Sequence, residues 1–298
     1  MSQSGNRLGL TFAVLGAVGF SFKAILIKLA YPYGVDAVTL LALRMGLSLP
    51  FFLALGWADR RRRQPVPLTG RDWGLMLGLG VTGYYLASYL DFLGLQYISA
   101  ALERLILFAY PTLVVLFSAL FLGKPITRRA AGSIALCYAG IALAVAHDLD
   151  LGGDAHEVWL GGALVFGSAV SYALYLMGNG QAVGRLGAAR VTAAASTIAC
   201  VLCLVHFAAT RPLGLLVQPA PVMGLAVAMA LFSTVLPVWM VSEAIRRLGA
   251  GPVSLIGTLG PVVTLFLGWL ILAEPIGVYQ LVGGALVIAG VLLVGSKR

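Results

Sequence analysis

Two stretches of this sequence share one plan at a fixed separation. The first, Ala100 to Thr127, opens on a charged pair (Glu103, Arg104), continues as an apolar run holding Pro111, and stops at Gly123-Lys124-Pro125. The second lies 150 residues later, with Pro261 in its apolar run and Ala273-Glu274-Pro275 as its stop. The same offset, with no gap, superimposes Ser21 on Ser171, Gly34 on Gly184, Gly74-Leu75 on Gly224-Leu225 and Gly140 on Gly290. Apolar helices match leucine with leucine by chance, but prolines and glycines aligned at one offset mark an internal repeat.

The repeated unit crosses a membrane. Apolar runs of about 20 residues, enough for a helix to traverse ~30 Å of hydrocarbon, recur along the chain. With 60% apolar and 10% charged residues, the polar surface is too small to cover a water-soluble globule of 298 residues. The short alternating segments of a barrel are absent. The pattern predicts an all-α integral membrane protein with ten spans, near 9–30, 36–57, 73–96, 101–122, 130–147, 158–180, 189–209, 222–245, 251–272 and 277–295. The halves are residues 1–148 and 149–298. The basic residues Arg60 to Arg63, Arg71, Lys124, Arg128, Arg129, Arg185, Arg190, Arg246 and Arg247 fall in even-numbered connections, which places those loops and both termini in the cytoplasm. An odd number of spans per repeat turns the second copy upside down, the arrangement of secondary transporters that bind solute between their halves.

Several features look functional in isolation. The formal charge of +9 sits in short loops, where it orients the chain, and no basic soluble domain exists to hold nucleic acid. Arg60 to Arg63 reads as an orienting anchor or an anionic-lipid contact. Cys137, Cys200 and Cys203 lie in apolar runs and read as buried thiols. The first apolar run is too long for a signal core and reads as a retained helix. Gly78-Leu79-Gly80-Val81-Thr82-Gly83 matches a dinucleotide fingerprint in letters, but it sits inside a span, where small residues pack helices; Gly74 and Gly78 add a GxxxG spacing. The acidic loop His147, Asp148, Asp150, Asp154, His156, Glu157 fits no metal-ligand spacing. Neither a metal nor a cofactor is expected.

Charges inside spans are costly and need partners. Lys23, Arg44, Asp91, Glu103 and Arg104 all fall in the outer half of the bilayer, while their repeat equivalents are Ala173, Ala194, Val241, Val253 and Ser254. A cluster confined to one half is either a set of ion pairs, Arg44 or Arg104 with Asp91 or Glu103, or a gate and substrate site. Tyr84, Tyr85, Tyr89, Phe108, Tyr110, Tyr172, Tyr175 and Trp239 lie at membrane depth and, with Ser21 and Ser171, suit a cavity for a small amphipathic solute. Pro111, Pro237 and Pro261 remove helical hydrogen bonds and are candidate hinges.

The stretches GLQYISAALERLILFAYPTLVVLFSALFLGKPI (Gly94 to Ile126) and RLGAGPVSLIGTLGPVVTLFLGWLILAEPI (Arg247 to Ile276), together with Arg44, resemble the EamA type of the drug/metabolite transporter superfamily. The resemblance covers the whole chain. It implies two five-helix repeats, a bacterial inner-membrane location, and a central cavity built from helices one, three, four, six, eight and nine. Relatives export amino acids or related metabolites; others move nucleotide sugars or phosphorylated metabolites. The small cation-exporting relatives carry a glutamate on helix one where this chain has Lys23, so a zwitterionic or anionic solute is the expectation. The leading expectation is a secondary transporter exporting an amino acid or similar metabolite by alternating access, with membrane lipids as its other partners. A lipid-modifying membrane enzyme and a channel or scaffold subunit are the rivals. The sequence sets no oligomeric state and is compatible with a monomer.

Overall fold

The protein is described here by a computed structural model covering residues 3–62, 67–151 and 154–295. Every regular element among these residues is helical. Helix α1 (Gln3–Ala30) ends on a 3-10 turn closed by Gly34, whose φ of 80° is free for glycine alone. Next come α2 (Ala37–Arg62) and a rod made of α3 (Gly70–Leu79), a π-helical stretch (Gly80–Leu86) and α4 (Ala87–Gly94). A broken helix follows, α5 (Ala100–Leu107) and α6 (Tyr110–Leu122), then α7 (Arg128–Asp150). The second half contains α8 (Ala155–Leu186) and α9 (Ala188–Thr210). It continues with α10 (Ala220–Ala230), a second π-helical stretch (Leu231–Val235) and α11 (Leu236–Leu248). It closes with the broken pair α12 (Ala250–Gly257) and α13 (Leu259–Leu272), and α14 (Val278–Gly295).

Eight helical stretches are long and apolar enough to cross a membrane. The two remaining expected spans differ in kind. The rod Gly70–Gly94 carries Arg71, Asp72 and Asp91, and the apolar part of α14 is the shorter Val278–Leu293.

The prolines explain where helices break. A proline lacks the N–H that would bond the carbonyl four residues back and crowds that carbonyl as well. For Pro111 that residue is Leu107, the last of α5; for Pro261 it is Gly257, the last of α12. For Pro237 it is Ser233, inside the second π-helical stretch, where a widened turn absorbs the lost bond without a break. Pro50 sits inside α2, a helix interior the sequence pattern had not singled out.

These irregularities recur at the repeat offset. Helices α5 and α12 begin at Ala100 and Ala250, and the left-handed residues ending α6 and α13 are Gly123 (φ 63°) and Ala273 (φ 54°). Under the same shift the first π-helical stretch maps to 230–236 and spans the second, Leu231–Val235.

Four close pairings assemble the bundle, and each is antiparallel. Along α7 and α14, Gly140 meets Gly283 while Ser133 donates to the Gly290 carbonyl at 2.6 Å. A Cβ on Gly140 would lie 2.4 Å from the Gly283 oxygen, so only glycine permits this approach. In the α2 and α9 pair, Gly46 lies beside Leu204 and Gly56 beside Ala193. Gly9, Gly16 and Gly19 of α1 meet Leu248, Val241 and Pro237 of α11. On the rod facing α8, Gly94 meets Gly161 and Gly83 meets Tyr175. Of the fingerprint-like glycines, Gly80 and Gly83 are packed, whereas Gly74 and Gly78 have open space beside them and take no part in packing.

Candidate functional site

The buried charges gather where α1, α4 and α5 meet. Lys23 Nζ lies 2.6 Å from Asp91 Oδ2 and 3.4 Å from Glu103 Oε1. Asp91 and Glu103 are 1% and 0% exposed, so one ammonium serves two carboxyl groups inside the protein. The expected arginine–carboxylate pairs do not form among the described residues. Arg104 instead donates from Nε to Thr264 Oγ1 (3.1 Å) and from Nη2 to the Phe20 carbonyl (2.6 Å), joining α5 to α13 and α1. Arg44 donates from Nε to Thr234 Oγ1 in the second π-helical stretch (2.9 Å), and its guanidinium stands 5.4 Å from the Phe92 ring centre. The longer arginines reach past the carboxylates to hydroxyls on facing helices, which leaves the acids to the lysine. Asp91 Oδ1, both Glu103 oxygens and Arg44 Nη1 are buried with no hydrogen-bond partner among the described residues.

The helix elements set this geometry. Helix α5 starts after Ser99, whose hydroxyl accepts from the Leu102 N–H at 3.1 Å, so Glu103 falls in the first turn and Arg104 one residue on. Carboxylates from α7 and from the turn after α13 hold that start. Asp148 accepts from the Ser99 N–H (3.1 Å) and hydroxyl (3.0 Å), and Glu274 accepts from the Ala100 N–H (2.8 Å) and Ala101 N–H (3.4 Å). Negative charge at a helix N-terminus satisfies donors that lack an intrahelical partner. Burial pushes the Glu274 carboxyl above the ordinary glutamate range, against the opposing pull of the Ala100 amide and Lys28. Lys28 donates to the Ile98 carbonyl at 3.0 Å. These residues line a cleft of about 700 Å³ with Tyr97 and Gln280 at the same end of the bundle.

The aromatic residues divide into separate groups. Tyr84, Tyr110, Tyr172 and Tyr175 form one cluster with Phe108, with ring centres 5.1 Å apart for Tyr110 and Tyr172 and 5.3 Å apart for Tyr84 and Tyr175. Tyr85 and Tyr89 turn toward α9, where the Tyr85 hydroxyl lies 3.0 Å from His206 Nδ1. Trp239 is 53% exposed and stands edge-on to Phe12, apart from both groups. Ser21 donates to the Ala17 carbonyl (2.9 Å) and the Gly260 carbonyl (3.2 Å), tying α1 to α13, and Ser171 donates to the Thr82 carbonyl of the first π-helical stretch (2.7 Å). Pro111, Pro237 and Pro261 follow the irregular turns described above. Sequence reasoning missed Glu274, Thr264, Thr234, Lys28, Asp148 and His206 as structural partners. For Glu274 a signal was present, since it stands in the stop that echoes the one at Lys124.

A bundle of long apolar helices around an enclosed cluster of charges defines a multi-pass membrane protein. The sequence profile of the EamA-like transporter family matches residues 7–146 and again 159–296, and the chain belongs to that family. It is 31% identical over 283 residues to the "Uncharacterized transporter YcbK" of Bacillus subtilis (strain 168), covering 92% of this chain and 88% of that one. Two further Bacillus subtilis proteins carry similar names. "Uncharacterized transporter YyaM" is 28% identical over 72% of this chain and 70% of its own length, and "Uncharacterized transporter YvbV" is 27% identical over 76% and 72%. A solved structure titled "Crystal structure of protein" superposes with a TM-score of 0.63 at 20% identity, covering 99% of this chain and 98% of that one, a likeness of fold.

Proposed function

We propose that this protein is a secondary carrier that exports an amino acid or similar small zwitterionic or anionic metabolite by alternating access. The observation that carries the proposal is the set of buried atoms on charged groups of both signs left without a hydrogen bond among the described residues: Arg44 Nη1 on one side, and Asp91 Oδ1 with Glu103 Oε2 on the other. Buried polar atoms without partners are rare, and unfilled ones of both signs suit a solute that carries both charges. The tyrosine cluster of Tyr84, Tyr110, Tyr172 and Tyr175 supplies an apolar wall with hydroxyls.

The arrangement of contacts supports the transport cycle. Arg104 with Thr264 and Phe20, Lys23 with Glu103, Lys28 with Ile98, and Glu274 with Ala100 all join α5 and its leading turn to α1 or to α13 and the turn after it, at one end of the bundle. Among the described residues no hydrogen bond or ion pair joins α6 to α12 at the other end. The basic loops mark that other end as cytoplasmic, so the contacts between the halves concentrate at the outer end, where a carrier needs a gate that can form and break. Antiparallel pairing of α2 with α9 and α7 with α14, each helix facing its own repeat equivalent, supports two inverted five-helix halves, residues 1–148 and 149–298. Both termini then lie in the cytoplasm, and one chain provides the whole cavity. Counterflow of labelled amino acids into proteoliposomes tests the proposal. Saturable, trans-accelerated uptake of at least one is expected, and no uptake above empty vesicles across the panel ends it.

A further inference from the structure

A second cavity lies away from the charge cluster, at the end of the bundle where α2 finishes and α3 and α9 begin. It encloses about 290 Å³ and is lined by apolar side chains with Trp57, Arg60, Trp73 and Arg190 around them. Phe52 and Met76, 4% and 1% exposed, form its floor. Trp57 and Trp73 stand half exposed beside it, and the Arg61 guanidinium stacks 3.8 Å over the Trp57 ring. Arg60 and Arg61 stand exposed at this end and Arg190 lines the groove, with Asp59 preceding the two arginines in α2, so basic residues outnumber acidic ones around the rim.

An apolar slot open to the bilayer fills with hydrocarbon, and its tryptophans mark the depth of the headgroups. At that depth a positive rim selects the headgroup. Guanidinium groups bind phosphodiesters in a bidentate manner, and basic pockets between spans on the cytoplasmic side suit anionic lipids. We propose that this groove between α2, α3 and α9 is a binding site for one anionic glycerophospholipid, its acyl chain against Phe52 and Met76 and its headgroup against Arg60 and Arg61. The proposal rests on the chain lying in a membrane and not on what it transports.

The test uses the full chain purified in a non-ionic detergent, titrated with phosphatidylglycerol, with phosphatidylcholine of the same chains, and with inorganic phosphate. Bound lipid is counted by native mass spectrometry and thermal stability is followed in parallel. One phosphatidylglycerol should stay bound and raise the unfolding temperature, while phosphatidylcholine is lost. Replacing both exposed arginines (Arg60→Gln, Arg61→Gln) should weaken phosphatidylglycerol roughly thirtyfold, at about one kcal/mol for each basic residue near the surface. A control that removes two charges elsewhere at the same end (Lys124→Gln, Arg128→Gln) should retain the lipid. Equal retention of both lipids, unchanged binding in the arginine variant, an equal loss in the control, or an equal stabilisation by inorganic phosphate would each overturn the proposal.

Discussion

Glu274 accepts a hydrogen bond from the backbone N–H of Ala100 at 2.8 Å, so the turn after α13 caps the first turn of α5. This contact joins the two halves at the end of the bundle where α5 begins. Replacing Glu274 with alanine strips the partners from the Ala100 and Ala101 N–H groups, a loss of about 1–2 kcal/mol. We expect Glu274→Ala to lower the unfolding temperature in detergent. It should also raise cysteine-reagent labelling of an engineered probe at Ser99, since the uncapped first turn of α5 opens more often. Unchanged labelling would mean that Glu274 does not hold that turn shut.

The same carboxyl carries a pH dependence. Burial raises its pKa in the folded protein, so the folded state holds the proton over a range in which an unfolded glutamate, near 4.3, has lost it. The contribution of Glu274 relative to the neutral Glu274→Gln is therefore fully present below about pH 4.3 and is lost as pH rises through the folded value. Melting curves of both proteins across that range should show the wild type losing ground to the variant as pH rises. A wild type that gains on the variant as pH rises would reverse the sign and refute the assignment.

Among the described residues, Lys23 is the one ammonium within 4 Å of Asp91 and Glu103. Removing one partner of a buried ion pair leaves an uncompensated charge and costs about 3–5 kcal/mol. Lys23→Ala should therefore destabilise the protein strongly, and adding Asp91→Asn and Glu103→Gln should restore much of the loss, because the orphaned charges go with it. If the triple variant melts no higher than Lys23→Ala, the coupling between these three groups is absent. The geometry gives Lys23 a structural duty that its place on helix one did not disclose.

Helix positions were legible in the sequence because they depend on local properties: apolar run length, proline and glycine punctuation, and the repeat. The stops at Gly123-Lys124-Pro125 and Ala273-Glu274-Pro275 end α6 and α13 where the sequence places them. Partner choice among the buried charges was not legible. It turns on which side chains face each other across helices far apart in the chain, such as Arg104 to Thr264 and Arg44 to Thr234, and no periodicity encodes helix rotation that finely. The tyrosines show the same limit. Tyr84 and Tyr85 are neighbours in sequence, yet the π-helical stretch that carries them sends one toward Tyr175 and the other toward His206.

Ala273 is the only non-glycine residue with positive φ among the described residues, at 54°, and its repeat equivalent is Gly123 at 63°. The left-handed conformation costs an L-residue roughly 1 kcal/mol, because Cβ crowds the following carbonyl. Ala273→Gly removes that strain and concedes part of the gain to the greater freedom of glycine in the unfolded chain. A small rise in stability, below about 1 kcal/mol, is expected, with Gly123→Ala falling by a similar amount. Opposite changes at two equivalent positions are a stricter check than either alone, since a general loosening of the turn would lower both.

The glycines offer a contrast that separates packing from resemblance. A Cβ on Gly140 would sit 2.4 Å from the Gly283 oxygen on the facing helix, and backbone cannot move aside as a side-chain tip can. Gly78 belongs to the fingerprint-like run yet has nothing within 4 Å of the added atom. In α3, alanine is the better helix former by about 1 kcal/mol. Gly78→Ala should therefore be neutral or stabilising, while Gly140→Ala should push α7 and α14 apart and cost at least as much as typical overpacking, roughly 1–3 kcal/mol. Paired melting curves decide the matter. Should Gly78→Ala prove as damaging as Gly140→Ala, that glycine has a partner which the helix packing does not account for, and the fingerprint-like run would have to be reconsidered as something other than helix surface.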